Sequence, residues 1–528
     1  MSMTDGSLVD NSVRLQECVQ QLTGIVGDAV ENHSPIHEVE RSLLKKLLEM
    51  GRLALSSLVE QIGCGDLGDV VEQNGKPLKR MEPPRTREYT SIFGTIEIER
   101  FVYAKRKGAK IELVPVDARL GLPESKFSYL LQDWDQSIAM EEPFEKVTGV
   151  IEKILGVEQN VDSLERMNRK MAEDVEDFMM QQETPPADEE GAIVVQTADG
   201  KGVPIRRDAT APKIDSHRSK RGPKPGAKRM ATLGAVYTVD PHPRTAEQIV
   251  GALFRHPGKG TAVHDDVHDD ANETEREQNV KQRRPQPKHK RVRAMLNHVD
   301  ANGDEVQGAA SIFGWLADEV AARTPLDTSG KPVKQVVSIM DGQESLWSMR
   351  DVFQPDIAMV DILDLLHVTP RLWTAANLFH PLGSEEATKF VRERVTRILK
   401  GEVSSIIVGL RRLGTTHKLG GKQLEKLRTI IQYFEKNIDK MRYDEYLAAG
   451  YPIASGVIEG ACRNVVKDRL ERTGMSWTIA GAQSMLSLRC IHLGHQWDEY
   501  TQFRIAQKMK KLYPYRQKLT ELPWATAA

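Results

Sequence analysis

Ile193-Val194-Val195-Gln196-Thr197-Ala198-Asp199-Gly200 is the stretch on which the reading of this chain turns. An apolar run climbs to Asp199, with Ile193, Val195, Thr197 and Asp199 on one face of a strand that Gly200 is expected to close. The same shape returns at Val336-Val337-Ser338-Ile339-Met340-Asp341-Gly342. A third acid, Glu459, stands in GVIEGACRNVVKDRL, near a helix start marked by Pro452, Ser455 and Gly456. A lone Asp-Gly after a strand is an ordinary turn. Two of them, followed by a helix glutamate, suggest carboxylates meeting at one edge of a sheet, where open α/β sheets place their sites. Three such carboxylates repel unless cations neutralise them, and hard oxygen ligands select Mg2+ or Mn2+. A pair of such ions suits phosphodiester chemistry.

Composition limits the alternatives. At roughly 150 residues per domain, a chain of 528 residues is expected to hold about three or four domains. Lys+Arg 73 against Asp+Glu 75 gives a net charge of −2, so the whole is not strongly basic. With 40% hydrophobic residues it can bury sizeable cores, and no run approaches the ~20 apolar residues of a membrane span. The polar, early-acidic start MSMTDGSLVDNSVRLQ does not read as a secretory signal. Cys18, Cys64, Cys462 and Cys490 are scattered without a C-x-x-C pair, which fits a reduced, cytoplasmic compartment. Walker A, G-x-S-x-G and H-E-x-x-H patterns are all missing from the sequence.

Charge is nevertheless blocked. Lys201–Met230 holds ten Lys/Arg against two acids, Lys281–Arg293 seven with no acid, and His264–Glu277 seven acids with one Arg. Such blocks read first as solvated loops, although two basic stretches in one region suit an anionic partner. The metal-like HDDVHDD at 264–270 reads as a charged loop rather than a site.

Along the chain, Ile36, Val39, Leu43, Leu44, Leu47 and Leu48 predict a helix over 35–61, its stripe read as ordinary packing rather than a dimer seam. Alternation about Gly94 predicts a β-hairpin over 89–103. Residues 143–181 carry two helical patterns, the second capped by Ser163. Together they suit a helix-turn-helix with Arg166, Arg169 and Lys170 facing DNA, or an unremarkable helix pair. QQETPPADEE at 181–190 is a linker. In the last helix Arg463 and Lys467 fall at i+4 and i+8 from Glu459, with Arg469, Arg472 and Trp477 following. That spacing fits a site for metal and phosphate backbone or plain surface salt bridging.

These stretches resemble bacterial insertion-sequence transposases of the ISKra type, members of the DDE superfamily with an RNase H-like core. The resemblance runs through HEVERSLLKKLLEMGRLAL, REYTSIFGTIEIERFVY, TADGKGVP, LGAVYTVD, SIMDGQESLW, DILDLLHV and YPIASGVIEGACRNVVKDRLERTGMSW. It implies an α/β fold: a mixed-sheet RNase H-like catalytic core with an all-helical insertion, preceded by helical and small α+β DNA-binding regions. It also implies Asp199, Asp341 and Glu459 as catalytic residues and ligands of two Mg2+ or Mn2+ ions. Asp364 and His367 would support the site without ligating, Asp364 being the alternative second acid. Arg463, Lys467, Arg469 and Arg472 would meet DNA.

The expected regions are 1–75 helical, 76–182 DNA-binding, 183–190 linker and 191–370 first part of the core, with a charged insert at 256–293. They continue with 371–450 helical insertion, 451–500 C-terminal core helix and 501–528 basic tail. The implied partners are double-stranded DNA, both terminal inverted repeats and target, and further copies of the chain in a homodimer or higher oligomer. No membrane is involved. The same residues leave open a non-catalytic DNA-binding descendant of a transposase and an RNase H-like structure-specific nuclease.

Overall fold

The computed structural model describes residues 11–73, 75–206, 228–254, 285–299, 303–472 and 474–520. The acidic stretch His264–Glu277, most of Lys201–Met230 and the start of Lys281–Arg293 lie outside the described residues. The fold is mixed α/β. It divides into two compact units, Met1–Met180 with His495–Ala528, and Gln181–Gly494.

The first unit opens with a helical hairpin, α1 (Asn11–Glu31) and α2 (Ile36–Ile62). Leu15, Cys18, Leu22, Ile25 and Ala29 recur at three- and four-residue spacing, and Val39, Leu43, Met50 and Leu53 at four, seven and three, and so form the seam between the two helices. The stripe expected to be packed is packed only in part: Ile36, Leu44 and Leu47 are exposed. An antiparallel sheet follows, β1 (Val70–Gln73), β2 (Lys76–Ser91) and β3 (Gly94–Ala104), with Ser91 opposite Gly94 at the tight end.

Next come α3 (Pro115–Leu120), α4 (Tyr129–Ala139), α5 (Phe144–Leu155), α6 (Val161–Ala172) and α7 (Val175–Met180). The cap of α6 is Asn160 rather than Ser163: its side chain accepts from Ser163 N at 2.8 Å. Arg166, Arg169 and Lys170 are exposed on α6. Arg169 lies 3.7 Å from Glu165, and Lys170 lies 3.1 Å from Glu173. The stretch expected as a tail from 501 begins instead inside a helix, Trp497–Leu512. Trp497 Nε1 donates to Asp133 (2.6 Å), and Tyr500 and Phe503 each stack 5.4 Å from Phe178. Aromatic anchoring of this kind ties the segment into the unit.

The second unit is built on β4 (Ile193–Pro204), β5 (Lys228–Val239), α8 (Ala246–Leu253) and β6 (Lys288–Leu296), then the short pair β7 (His298–Val299) and β8 (Glu305–Val306). It continues through α9 (Gly308–Arg323), β9 (Gln335–Met340), α10 (Glu344–Phe353) and β10 (Val360–Leu363). Five helices come next: α11 (Leu365–Ala376), α12 (Glu385–Leu399), α13 (Val403–Thr416), α14 (Gly421–Lys436) and α15 (Tyr443–Ala448). Then come α16 (Gly456–Ala461), a π-helical turn at Cys462–Lys467, α17 (Asp468–Leu470) and α18 (Ile479–Leu493).

The main sheet has the order β10-β9-β4-β5-β6. β4, β5 and β6 pair antiparallel, whereas β9 and β10 run parallel to β4. One face packs Val194, Ala198, Val236, Val336 and Met340 against α9 and α10. The other packs Val195, Tyr237, Val337, Ile339 and Ile362 against α8 and the helices after β10. Burial on both faces accounts for the unbroken apolar runs of β4 and β9. Gly200 does not close β4. The strand runs on because β5 keeps pairing with it, Gly200 opposite Thr232 and Pro204 opposite Lys228.

The last linker residue, Glu190, is not solvated. Its side chain is buried with the equally buried Arg323, 3.4 Å away, and ion-paired to Lys334. Arg323 also meets Glu319 at 3.0 Å and donates to His289 O at 2.9 Å. Removing one partner of such a network strands buried cations. Glu190→Ala should therefore destabilise the second unit by about 3 kcal/mol, read as a lowered midpoint in urea unfolding of the full chain. An unchanged midpoint would contradict the assignment.

Candidate active site

Strand register builds the site. Pairing between β4 and β9 ends at Ala198 opposite Met340, and pairing between β9 and β10 ends at Met340 opposite Leu363. One residue further along each strand stand Asp199, Asp341 and Asp364. Three acids thus occupy one row across three adjacent parallel strands, at the carboxyl ends of β9 and β10.

Each is held differently. Asp199 Oδ1 accepts from Gly200 N (2.7 Å), and Oδ2 accepts from the thiol of Cys462 (3.3 Å). Asp341 Oδ1 accepts from Gln343 N (2.8 Å), while the Trp347 indole donates to the Asp341 carbonyl (2.7 Å); these bonds give the DGQESLW motif its local meaning. Asp364 is fully buried and caps α11, accepting from Leu366 N (2.8 Å) and from the Ser455 hydroxyl. Leu365 N donates to Ile453 O (3.0 Å), so the segment leading into the Glu459 helix is stitched to the end of β10.

Glu459 faces this row from α16, with His367 Nε2 3.8 Å from its Oε1. Ligand atoms of Asp364, His367 and Glu459 lie within 4.8 Å of one another, a spacing that could hold a metal ion. Asp364 and His367 therefore both stand among the possible ligands, beyond the supporting role expected of them, and of the expected ligands only Glu459 belongs to this group. Burial raises the Asp341 carboxyl above its ordinary pKa, with the charge of Asp199 adding to the rise and His367 and Arg371 opposing it. The partial burial of Glu459 raises it as well, reinforced by Asp364 and Asp199 and opposed by His367. Asp364 is raised by burial against its bonds to Ser455 and Leu366. These causes show that the acids feel one another's charge.

The parts played here by Gly342, Tyr433, Arg371 and Cys462 are not legible in the sequence. Gly342 sits in the bend that Asp341 closes on Gln343 N, and a Cβ there would overlap the Tyr433 ring from α14. The Arg371 guanidinium lies 3.5 Å from that ring's centroid, beside Asp341. Cys462, set aside as a scattered cysteine, bonds Asp199 across 263 residues of sequence.

The cationic helix is partly as expected. Glu459, Arg463, Lys467 and Arg472 are exposed, but the π-helical turn Cys462–Lys467 replaces regular α-helix between them. Arg463 approaches Asp468 at 3.8 Å, and Arg472 donates to Asp468 O at 2.7 Å. Arg469 is not available to DNA. It is 1% exposed, with its guanidinium 5.0 Å from the Trp477 ring centroid, because the helix turns that side chain into the core. Arg166, Arg169 and Lys170 belong to the first unit.

Among the described residues no helix is long and apolar enough to cross a membrane. Family models and curated protein sequences give no match to this chain.

The raised carboxyls carry a pH signature. With folded-state pKa values above those of the unfolded chain, stability is full below the ordinary carboxylate pKa and is lost as pH rises through the raised values. Asp341→Asn escapes that loss. It should raise the unfolding midpoint of the metal-free protein at about pH 7.5 and leave it unchanged at about pH 4, near the ordinary carboxylate pKa. Differential scanning calorimetry at both pH values checks this, and a lower midpoint for Asn at about pH 7.5 would refute it.

Proposed function

We propose that the second unit is the RNase H-like core of a DDE transposase, which cleaves the 3′ ends of a bacterial insertion sequence and joins them to target DNA. The observation that carries this reading is the shared row of Asp199 and Asp341 on adjacent parallel strands, faced by Glu459. In chain order the five strands of the sheet are arranged 3-2-1-4-5, with acids on the first, after the fourth, and on a helix beyond a helical insertion.

The donor set fits divalent ions. Oxygen ligands predominate, and the mutual charge of the acids favours neutralisation by Mg2+ or Mn2+. Asp199, Asp341 and Glu459 would hold two ions, which when bound supply Lewis-acid stabilisation of the attacked phosphate. The chain's own task is placement. Cys462 and Gly200 fix both oxygens of Asp199, Gln343 and Trp347 fix Asp341, and Asp364 with Ser455 fixes the approach of Glu459.

No side chain is assigned as a nucleophile, because phosphoryl transfer asks for in-line geometry and charge stabilisation. In cleavage, water attacks phosphorus and the 3′-oxygen leaves. In joining, that 3′-hydroxyl attacks a target phosphodiester and the target 3′-oxygen leaves. Exposed Arg463 and Lys467 lie on the same helical segment as Glu459, and exposed Arg472 just beyond its end, where they would meet phosphates. The partners are terminal-repeat and target DNA.

Strand transfer tests the reading. Full-length protein, Mg2+, plasmid and a labelled duplex carrying the terminal repeat that borders its own coding sequence should yield joined product. Asp199→Asn, Asp341→Asn and Glu459→Gln should each lose roughly 10²–10³-fold or more, the scale of removing one electrostatic stabiliser, while still binding the duplex. End binding by wild type without nicking or joining under Mg2+ or Mn2+ would overturn it. Cys462→Val should lose about 10–100-fold, as outer-shell changes at metal sites do, and Cys462→Ser should recover most of it. Equal rates for the two variants would remove Cys462 from the site.

A further inference from the structure

Beside the row of acids stands one arginine that no acid answers. Asp364, His367 and Arg371 fall at i, i+3 and i+7 from the cap of α11. They line one edge of that helix, next to the face that Leu365, Val368 and Leu372 bury. Arg371 is thereby carried past His367 towards Asp341, whose carboxyl, raised by burial, is lowered in part by the Arg371 charge. Yet Arg371 forms no ion pair with any acid among the described residues, and its Nε is buried without a hydrogen-bond partner. Its guanidinium lies instead over the Tyr433 ring of α14, 3.5 Å from the centroid. The stack brings the Tyr433 hydroxyl near the guanidinium and the Gly342 backbone without aligning it for a hydrogen bond to either. A Cβ on Gly342 would come 2.8 Å from that hydroxyl, so it stands one residue beyond Asp341.

Two orphan donors, one of them charged, therefore flank Asp341. Buried donors are nearly always satisfied, and a guanidinium drawn out of water is costly until an anion meets it. Both side chains are only part-buried, so a ligand can reach them. The planar fork of a guanidinium matches two oxygens of a phosphate, and the hydroxyl adds a donor beside it. In-line attack on phosphorus spreads charge over the equatorial oxygens, and donors fixed in advance at those oxygens stabilise the transition state. The ring stack holds the fork flat. We propose that Arg371 is a catalytic residue that donates to non-bridging oxygens of the attacked phosphate, with Tyr433 holding its guanidinium and donating a hydroxyl to the same group. That the phosphate belongs to DNA rests on the transposase reading of the acid row, whereas the capture of a phosphate does not.

Two measurements on the full chain with Mg2+ test this. Inorganic phosphate is titrated and followed by phosphorus NMR line broadening, and nicking of the terminal-repeat duplex is followed in a single turnover. Wild type should bind phosphate in the millimolar range. Arg371→Gln should weaken that binding at least about tenfold, the scale of a charge-assisted hydrogen bond. It should slow nicking about 10²–10³-fold, as loss of one transition-state donor does, with duplex affinity unchanged. Arg371→Lys keeps the charge without the fork and should recover only part of either loss. Tyr433→Phe keeps the stack and should weaken phosphate about three- to fivefold, the scale of a neutral hydrogen bond. Circular dichroism shows whether each variant is folded. If Arg371→Gln is not, Tyr433→Phe decides, and an unchanged phosphate affinity there is the contrary result. A wild type that binds no phosphate, or an Arg371→Gln that binds it equally well, overturns the proposal. Wild-type nicking at a rate that Arg371→Gln leaves unchanged also overturns it, while the transposase reading stands. Phosphate capture that depends on Arg371 in a protein that never nicks upholds the proposal and sinks the transposase reading instead.

Discussion

Mutual repulsion among Asp199, Asp341, Asp364 and Glu459 is the constraint around which the second unit is arranged. Left to itself, a cluster of acids at the end of a sheet splays into solvent, since each burial and each neighbouring charge penalises the ionised form. Here the backbone prevents that. The two parallel pairings that end at Met340 deliver three acids in one row, and no local adjustment can separate them without slipping a strand whose two faces are both buried. Slipping by one residue would turn every core side chain to the wrong face. The core thus supplies the force that holds like charges together.

The helical insertion serves the same end. Tyr443 OH donates to Leu363 O (2.6 Å), and Tyr446 OH donates to Asp361 O (3.0 Å), so α15 grips the strand that leads into Asp364. Tyr433 fills the space that Gly342 leaves, and Arg371 stacks on it beside Asp341. The 92-residue excursion at 364–455, between β10 and the Glu459 helix, would otherwise leave those elements linked only by a long flexible loop, with the ordering entropy that entails. Packed against the sheet, the insertion returns the chain to Ile453, whose carbonyl accepts from Leu365 N.

Much of the site could be read in the sequence because each acid sits beside a strong local signal. Asp199 and Asp341 close apolar runs, and Glu459 follows Pro452 and Ser455 into a helix. Their alignment into one row could not be read, because register between β4 and β9 is a pairing of residues 142 apart. For the same reason Cys462 looked inert, and Asp364, expected to support the site without ligating, showed neither its cap on α11 nor its place within reach of His367 and Glu459. The Asp-Gly pairs misled in a further way. They suggested turns, and Gly342 does lie in a bend, where Tyr433 crowds it, but Gly200 lies within a strand. Arg469 failed as a surface cation because the short helix α17 turns it into the core against Trp477.

The π-helical turn at Cys462–Lys467 has a physical cause. A widened turn disturbs the usual carbonyl partners of a helix, and buried carbonyls left unpaired are costly. Arg489 of α18 answers this, donating from Nε to Val465 O (2.9 Å) and also to Asn464 O. The segment after the helix then returns to the sheet: Trp477 N donates to Pro204 O (3.0 Å), and Arg206 N donates to Trp477 O (2.9 Å). The extension of β4 beyond Gly200 thereby acquires a purpose. It carries the strand far enough to bind the end of the helix that bears Glu459. Asp199 and Glu459, 260 residues apart in sequence, are therefore tied at two places, through the Cys462 thiol and through the Trp477 bridge. A displacement of the helix that moved Glu459 would have to break both.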